Sequence, residues 1–101
     1  MIARTWSGST PAANADAYVQ HLRDHTLPQL RELAGHLGAY VLRRRNGAVV
    51  DFTVVTLWES IEAIARFAGD DLEQAVVPPE AEQLLAAYDR RAVHWDVVEA
   101  R

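Results

Sequence analysis

Three side chains in this sequence could hold or move a proton beside an aromatic ring: His94, Arg4 and Trp58. His94 lies in the alternating segment Val93-His94-Trp95-Asp96-Val97, sharing a strand face with Ala92, Asp96 and Val98. An imidazole titrates near pH 6.5, so it suits the removal of a phenolic or enolic proton. The competing reading is a histidine hydrogen-bonded to a neighbouring strand at an interface. Asp96 is two residues on, roughly 7 Å away along a strand, so a direct His–Asp pair is marginal. Arg4 shares its face with Ile2 and Trp6, and is either a cation for an anionic substrate or the partner of a carboxylate. Trp58 ends a long apolar segment. Its indole can stack on an aromatic ligand and donate one hydrogen bond, or it can cap the hydrophobic core.

Other candidates are weaker. His21 and His25 are four apart, the spacing of two ligands on one helical face, but no third ligand accompanies them and a solvated helix surface accounts for both. His25 also falls near the Leu22 stripe and just before Pro28, where it would look into a pocket. Trp6, Leu22, Phe67 and Tyr88 are the apolar candidates for lining that pocket with His25. Arg43, Arg44 and Arg45 precede a turn, where charge is usually solvated; Arg44 is diagonal to Asp51. No phosphate loop, nucleotide fingerprint or nucleophile elbow is present.

These groups need a frame, and composition bounds it. The 101 residues are half hydrophobic with a formal charge of −4. That describes one domain over residues 1–101 whose core is modest and would gain from association. The basic residues form no basic-aromatic patch, so nucleic acid is not an expected partner. The absence of cysteine excludes thiolate chemistry and disulfides and suits a reducing cytoplasm. No segment approaches membrane-spanning length.

Periodicity then orders the elements. Ile2 to Ser7 reads as a first strand broken by Gly8-Ser9-Thr10-Pro11. A helix capped by Asn14 or Thr10 runs from Ala15 to Gly35 with Val19, Leu22, Leu30, Leu33 and Leu37 as its stripe, and Pro28 should kink it near Thr26-Leu27. Gly38 to Arg45 and Val49 to Trp58 flank Asn46-Gly47, the centre of a type I′ hairpin turn. This register sets Arg43 opposite Val50, and Val41 opposite Phe52. Ala39, Val41, Phe52, Val54 and Trp58 form one face; Tyr40, Leu42, Arg44, Val49, Asp51, Thr53, Val55 and Leu57 form the other. The second face is too apolar for open water, and a second copy of the chain is its expected cover. Ser60 caps a helix stopped by Gly69. Glu80 to Tyr88 reads as a last helical piece, and Arg91 to Glu99 as the final strand. The order is that of a ferredoxin-like α+β fold: a split βαβ arrangement with a four-stranded antiparallel sheet and helices on one face.

With this order, the junction Thr56-Leu57-Trp58-Glu59-Ser60 followed by Ile64-Ala65-Arg66-Phe67 resembles the antibiotic-biosynthesis-monooxygenase-like family of dimeric α/β-barrel proteins. The resemblance spans nearly the whole chain. It implies a homodimer whose two sheets form a barrel, with a pocket in each subunit between sheet and helices; composition and segment length already gave no nucleic-acid or membrane partner. Some such proteins oxidise phenolic polycyclic molecules with oxygen and neither metal nor flavin, so no cofactor or metal is expected. Others are cyclases or isomerases. Within that implication, His94 is the proton acceptor, Arg4 stabilises the oxyanion and Trp58 holds the ring. Haem-degrading relatives use a first-strand asparagine, a tryptophan at the third-strand junction and a histidine on the next helix. Trp58 matches the tryptophan; the other two are missing here.

Overall fold

The structure is a computed structural model describing residues 1–101. β1 (Ile2–Pro11), β2 (His36–Asn46) and β3 (Val49–Trp58) are long; β4 (Ala87–Tyr88) and β5 (Val93–Asp96) are short. They form one antiparallel sheet in the order β2-β3-β1-β4, with β5 also pairing β1. Five strands thus replace the four expected. The last lane is divided because Arg90 to Ala92 swing off β1 to pair elsewhere. Ala92 N–H donates to the Glu73 carbonyl and Gln74 bridges to Arg91.

The expected break after Ser7 does not occur. Gly8, Ser9, Thr10 and Pro11 pair with Phe52, Asp51, Val50 and Val49, so β1 continues to Pro11. Proline is tolerated at that strand end, where a missing donor costs little. The hairpin also differs. Asn46 pairs with Val49, so Gly47-Ala48 are the central turn residues. Gly47 alone has positive φ (63°), the pattern of a type II′ turn rather than type I′. The pairing therefore slips by two: Arg43 faces Phe52, Val41 faces Val54, and Arg44 sits directly opposite Asp51 at 3.6 Å. An even slip preserves both faces.

α1 (Ala15–His21) and α2 (Leu27–Arg31) are joined by a single π turn, Leu22–Thr26. Leu27 N–H donates to the Leu22 carbonyl, an i→i+5 bond just before Pro28. Pro28 has no donor to continue the ladder, and the wider turn makes room for its ring. Neither Asn14 nor Thr10 makes a side-chain cap; Asn14 Nδ2 donates instead to the Leu84 carbonyl at 3.3 Å. Leu37 belongs to β2 at an irregularity in its pairing and is exposed, so the helical stripe ends at Leu33.

α3 (Ile61–Ala68) is capped by Ser60, whose Oγ accepts from Ala63 N–H at 3.2 Å. The expected helix over Glu80 to Tyr88 shortens to α4 (Pro79–Glu82). Beyond it Ala86 N–H donates to the Ser9 carbonyl, and sheet pairing captures Ala87 and Tyr88. The final strand is Val93–Asp96 rather than Arg91 to Glu99.

All helices cover one face of the sheet. Two clusters fill the gap: Tyr18 and Leu22 against Val50, Phe52 and Ala81, and Leu30, Ala63 and Ile64 around Trp58.

Candidate functional site

The register brings Arg4 opposite both Thr56 on β3 and His94 on β5, all three on the helix-covered face. Arg4 is 3% exposed. Its Nη1 donates to the Leu72 carbonyl and to His94 Nε2 at 2.8 Å, and its Nη2 donates to the Gln74 carbonyl at 2.7 Å. Its guanidinium lies 5.8 Å from the centre of the Phe67 ring. A guanidinium has five N–H donors. Nε and one Nη2 hydrogen therefore remain for another acceptor.

This geometry fixes the state of His94. Arginine stays charged in proteins, so the contact requires His94 Nε2 to accept and its proton to sit on Nδ1. Burial lowers the His94 pKa, the Arg4 cation lowers it further, and Glu73 partly opposes them. His94 is thus a neutral imidazole whose lone pair already holds Arg4. To take a proton it must first release that cation.

Trp58 is completely buried. Its Nε1 donates to Thr56 Oγ1 at 2.8 Å, and its ring sits between Phe67 at 6.0 Å and His36 at 5.1 Å. Phe67, not Trp58, meets the open space.

That space is a cavity of about 60 Å³ between the two core clusters, bordered by the irregular segment Val76-Val77-Pro78. Arg4, Trp6, Leu22 and Phe67 are among its lining residues. Trp6 anchors its indole by donating from Nε1 to the Asp89 carbonyl at 2.8 Å. His25 is exposed and does not reach the cavity; it lies within the π turn, on the solvent side. Tyr88 also falls outside it: as a β4 residue it lies over Trp6 at 6.3 Å, with its hydroxyl donating to Glu82 at 3.3 Å. His21, read as a solvated helix residue, instead lines the cavity. Its signal was present in the sequence as an i, i+3 relation to Tyr18, which is buried, but the pairing with His25 pointed outward.

The opposite face of the sheet carries a broad open trough of about 600 Å³. Side chains of Ser7, Ser9, Leu42, Arg44, Asp51 and Thr53 line it. Further along that face Tyr40 is 62% and Trp95 57% exposed. No cluster of three or more histidine, cysteine, aspartate or glutamate residues is placed to hold a metal. No helix is long and apolar enough to cross a membrane.

Solved structures share this architecture end to end. A protein described as a candidate antibiotic biosynthesis monooxygenase from Bacillus cereus superposes with a TM-score of 0.70 at 14% identity, covering 100% of this chain and 94% of its own. Another from Deinococcus radiodurans gives 0.66 at 19% identity, covering 100% and 96%. MhuD, a haem degrader of Mycobacterium tuberculosis solved with two haems in its active site, gives 0.57 at 23%, covering 100% and 99%. No protein-family model and no curated protein matches the sequence. The chain has the fold of the antibiotic-biosynthesis-monooxygenase-like proteins, and the resemblance read from its sequence holds at that level.

Proposed function

We propose that this protein is an oxygenase of a small aromatic or polyketide-like molecule, using oxygen without metal or flavin, built as one domain over residues 1–101. The observation that carries the reading is a buried cation, Arg4, with unspent donors at the wall of an otherwise mostly apolar cavity. A phenol or enol oxygen placed there would gain a charge-assisted hydrogen bond, and the nearby cation would favour its ionised form, the proton passing to solvent water. The resulting phenolate or carbanion is the species that can give an electron to oxygen. In this scheme Arg4 stabilises the oxyanion, His94 orients Arg4, and Trp58 backs the Phe67 ring. Trp6, Leu22 and Phe67 hold the ligand. The names of neighbours in the Bacillus and Deinococcus comparisons support the same class.

Volume sets a condition. About 60 Å³ holds a few waters, whereas drug-sized ligands occupy sites of roughly 300–1,000 Å³. Binding therefore requires the wall to move outward. Val76 and Val77 are suited to this, since neither donates a backbone hydrogen bond.

We also propose a cytoplasmic homodimer joined through the outer face. Tyr40, Leu42, Leu57 and Trp95 form an apolar surface of the kind that a second copy covers.

The test is oxygen uptake with a hydroxylated anthrone in chelator-treated buffer. Saturable uptake above the spontaneous rate is expected. Arg4→Lys, which keeps the charge but loses the fork, should lower it by about a hundredfold or more, the scale of one lost oxyanion donor. Saturable binding without uptake would favour a non-oxidative binding or cyclase-type protein. That second reading draws on one observation, that the His94 lone pair is already occupied. Haem fits these residues poorly: α3 has no histidine and Trp58 faces the core. Added haem should give no stoichiometric Soret shift.

A further inference from the structure

Several polar groups at or beside the inner cavity are already engaged. Trp6 Nε1 is held by Asp89, Trp58 Nε1 by Thr56, and His94 Nε2 by Arg4. His21 is different. It stands at the end of α1, lines the cavity, and its Nε2 is buried with no hydrogen-bond partner. Leaving such an atom unpaired costs about 1–3 kcal/mol, so buried polar atoms are seldom left alone. Two other orphans, on Thr10 and His36, are not at this cavity.

The His21 ring is also held in place. It lies nearly parallel to Tyr18, 17° between planes and 6.5 Å between centres, and 5.2 Å from His25. Tyr18 in turn packs edge-on against Phe52 at 4.8 Å, within the first core cluster. His21 is the last residue of α1, immediately before the π turn. Burial and the neighbouring His25 disfavour the imidazolium, with Glu80 opposing them, and a neutral ring has one nitrogen free to accept.

We infer that His21 Nε2 is the recognition point of the inner pocket for a ligand bearing a phenolic or enolic hydroxyl. The hydroxyl donates to Nε2, with its oxygen in the cavity that Arg4 also lines. The ligand class is an apolar ring system with at least one such hydroxyl. An unsubstituted hydrocarbon would leave Nε2 unpaired and bind more weakly. This inference rests on the proposed pocket but not on oxygen chemistry.

The experiment uses the full chain with histidine side chains labelled with ¹⁵N, titrated with 2-naphthol and, separately, naphthalene. His21→Phe assigns the resonance, and His21→Gln is the second variant should the first not fold. The expected result is a saturable shift of the His21 Nε2 resonance with 2-naphthol and a much smaller one with naphthalene. 2-Naphthol should bind about 3- to 10-fold more tightly, the worth of one neutral hydrogen bond. His21→Phe should abolish that preference and His21→Gln should retain part of it. If 2-naphthol binds preferentially but leaves the His21 resonance unmoved, or His21→Phe keeps the preference, the assignment is overturned while the pocket stands. If neither compound binds saturably, the pocket reading falls and this inference with it.

Discussion

At the scale of single residues, Arg4 does what no other charge in the chain does: it is buried and held without a carboxylate. Its acceptors are two carbonyls of the irregular segment after α3 and one imidazole. That segment is thereby tied to the start of β1, and the cost of removing the tie is predictable. Arg4→Met should orphan the Leu72 and Gln74 carbonyls and lower stability by at least about 2 kcal/mol. A urea titration of the variant against the parent chain would measure it. The same cluster predicts a pH dependence. Burial lowers the pKa of His21, His36 and His94 below the ordinary value, with Arg4 adding to the effect at His94. As pH falls below about 6.5, the unfolded chain therefore binds protons that the folded chain resists. Stability is full above the unfolded pKa and declines as pH drops toward the lowered folded values. Urea midpoints should fall between pH 7.5 and 5.5, and His94→Gln should flatten part of that slope. An unchanged slope would mean that His94 titrates alike in the folded and unfolded chain, against the Arg4 contact.

Secondary-structure elements meet through two glycines with similar backbones and different surroundings. Gly35 has φ 89° and ends the first helical region; Gly69 has φ 83° and ends α3. A Cβ on Gly35 would lie 2.5 Å from the Ala63 side chain, whereas one on Gly69 would meet open space. Gly35 thus lets the chain pass close against α3, and Ala63 is fully buried there. Both Gly→Ala substitutions carry the cost of left-handed backbone, about 1–2 kcal/mol. Only Gly35→Ala adds overpacking, typically another 1–3 kcal/mol. Thermal unfolding should place Gly35→Ala below Gly69→Ala by several degrees, and equal melting temperatures would mean that α3 is free to shift.

For the whole molecule, the two sheet faces have different fates. The inner face is covered by the chain's own helices, with Phe52 and Trp58 almost fully enclosed. On the outer face the chain supplies no cover, and tyrosine, leucine and tryptophan side chains stand in water. Analytical ultracentrifugation at micromolar concentration should find a dimer. Leu42→Lys combined with Tyr40→Asp should shift it to monomer, with far-ultraviolet circular dichroism retained. A parent chain that sediments as a monomer would overturn the reading, and the outer trough would then need another occupant.

Much of this was written in the local sequence. Alternation along Val49–Trp58 determined the two faces, the Pro28 position determined where the first helix must change, and Ser60 determined where α3 begins. Such features depend on neighbours within four residues, so a sequence displays them. The hairpin faces survived a wrong turn type because a two-residue slip returns every side chain to its side. Long-range decisions were not legible. Sheet pairing with β1 took Ala87 and Tyr88 out of the expected helix and removed Tyr88 from the pocket. Pairing of β1 with β5 placed Arg4 against His94, and so turned a free base into the acceptor of a buried cation. Within the π turn His25 is exposed, while His21 just before it faces the cavity. In each case the deciding partner lies far along the chain or depends on a change of helical pitch. The periodicity of types that identifies a strand or a helix carries no information about either.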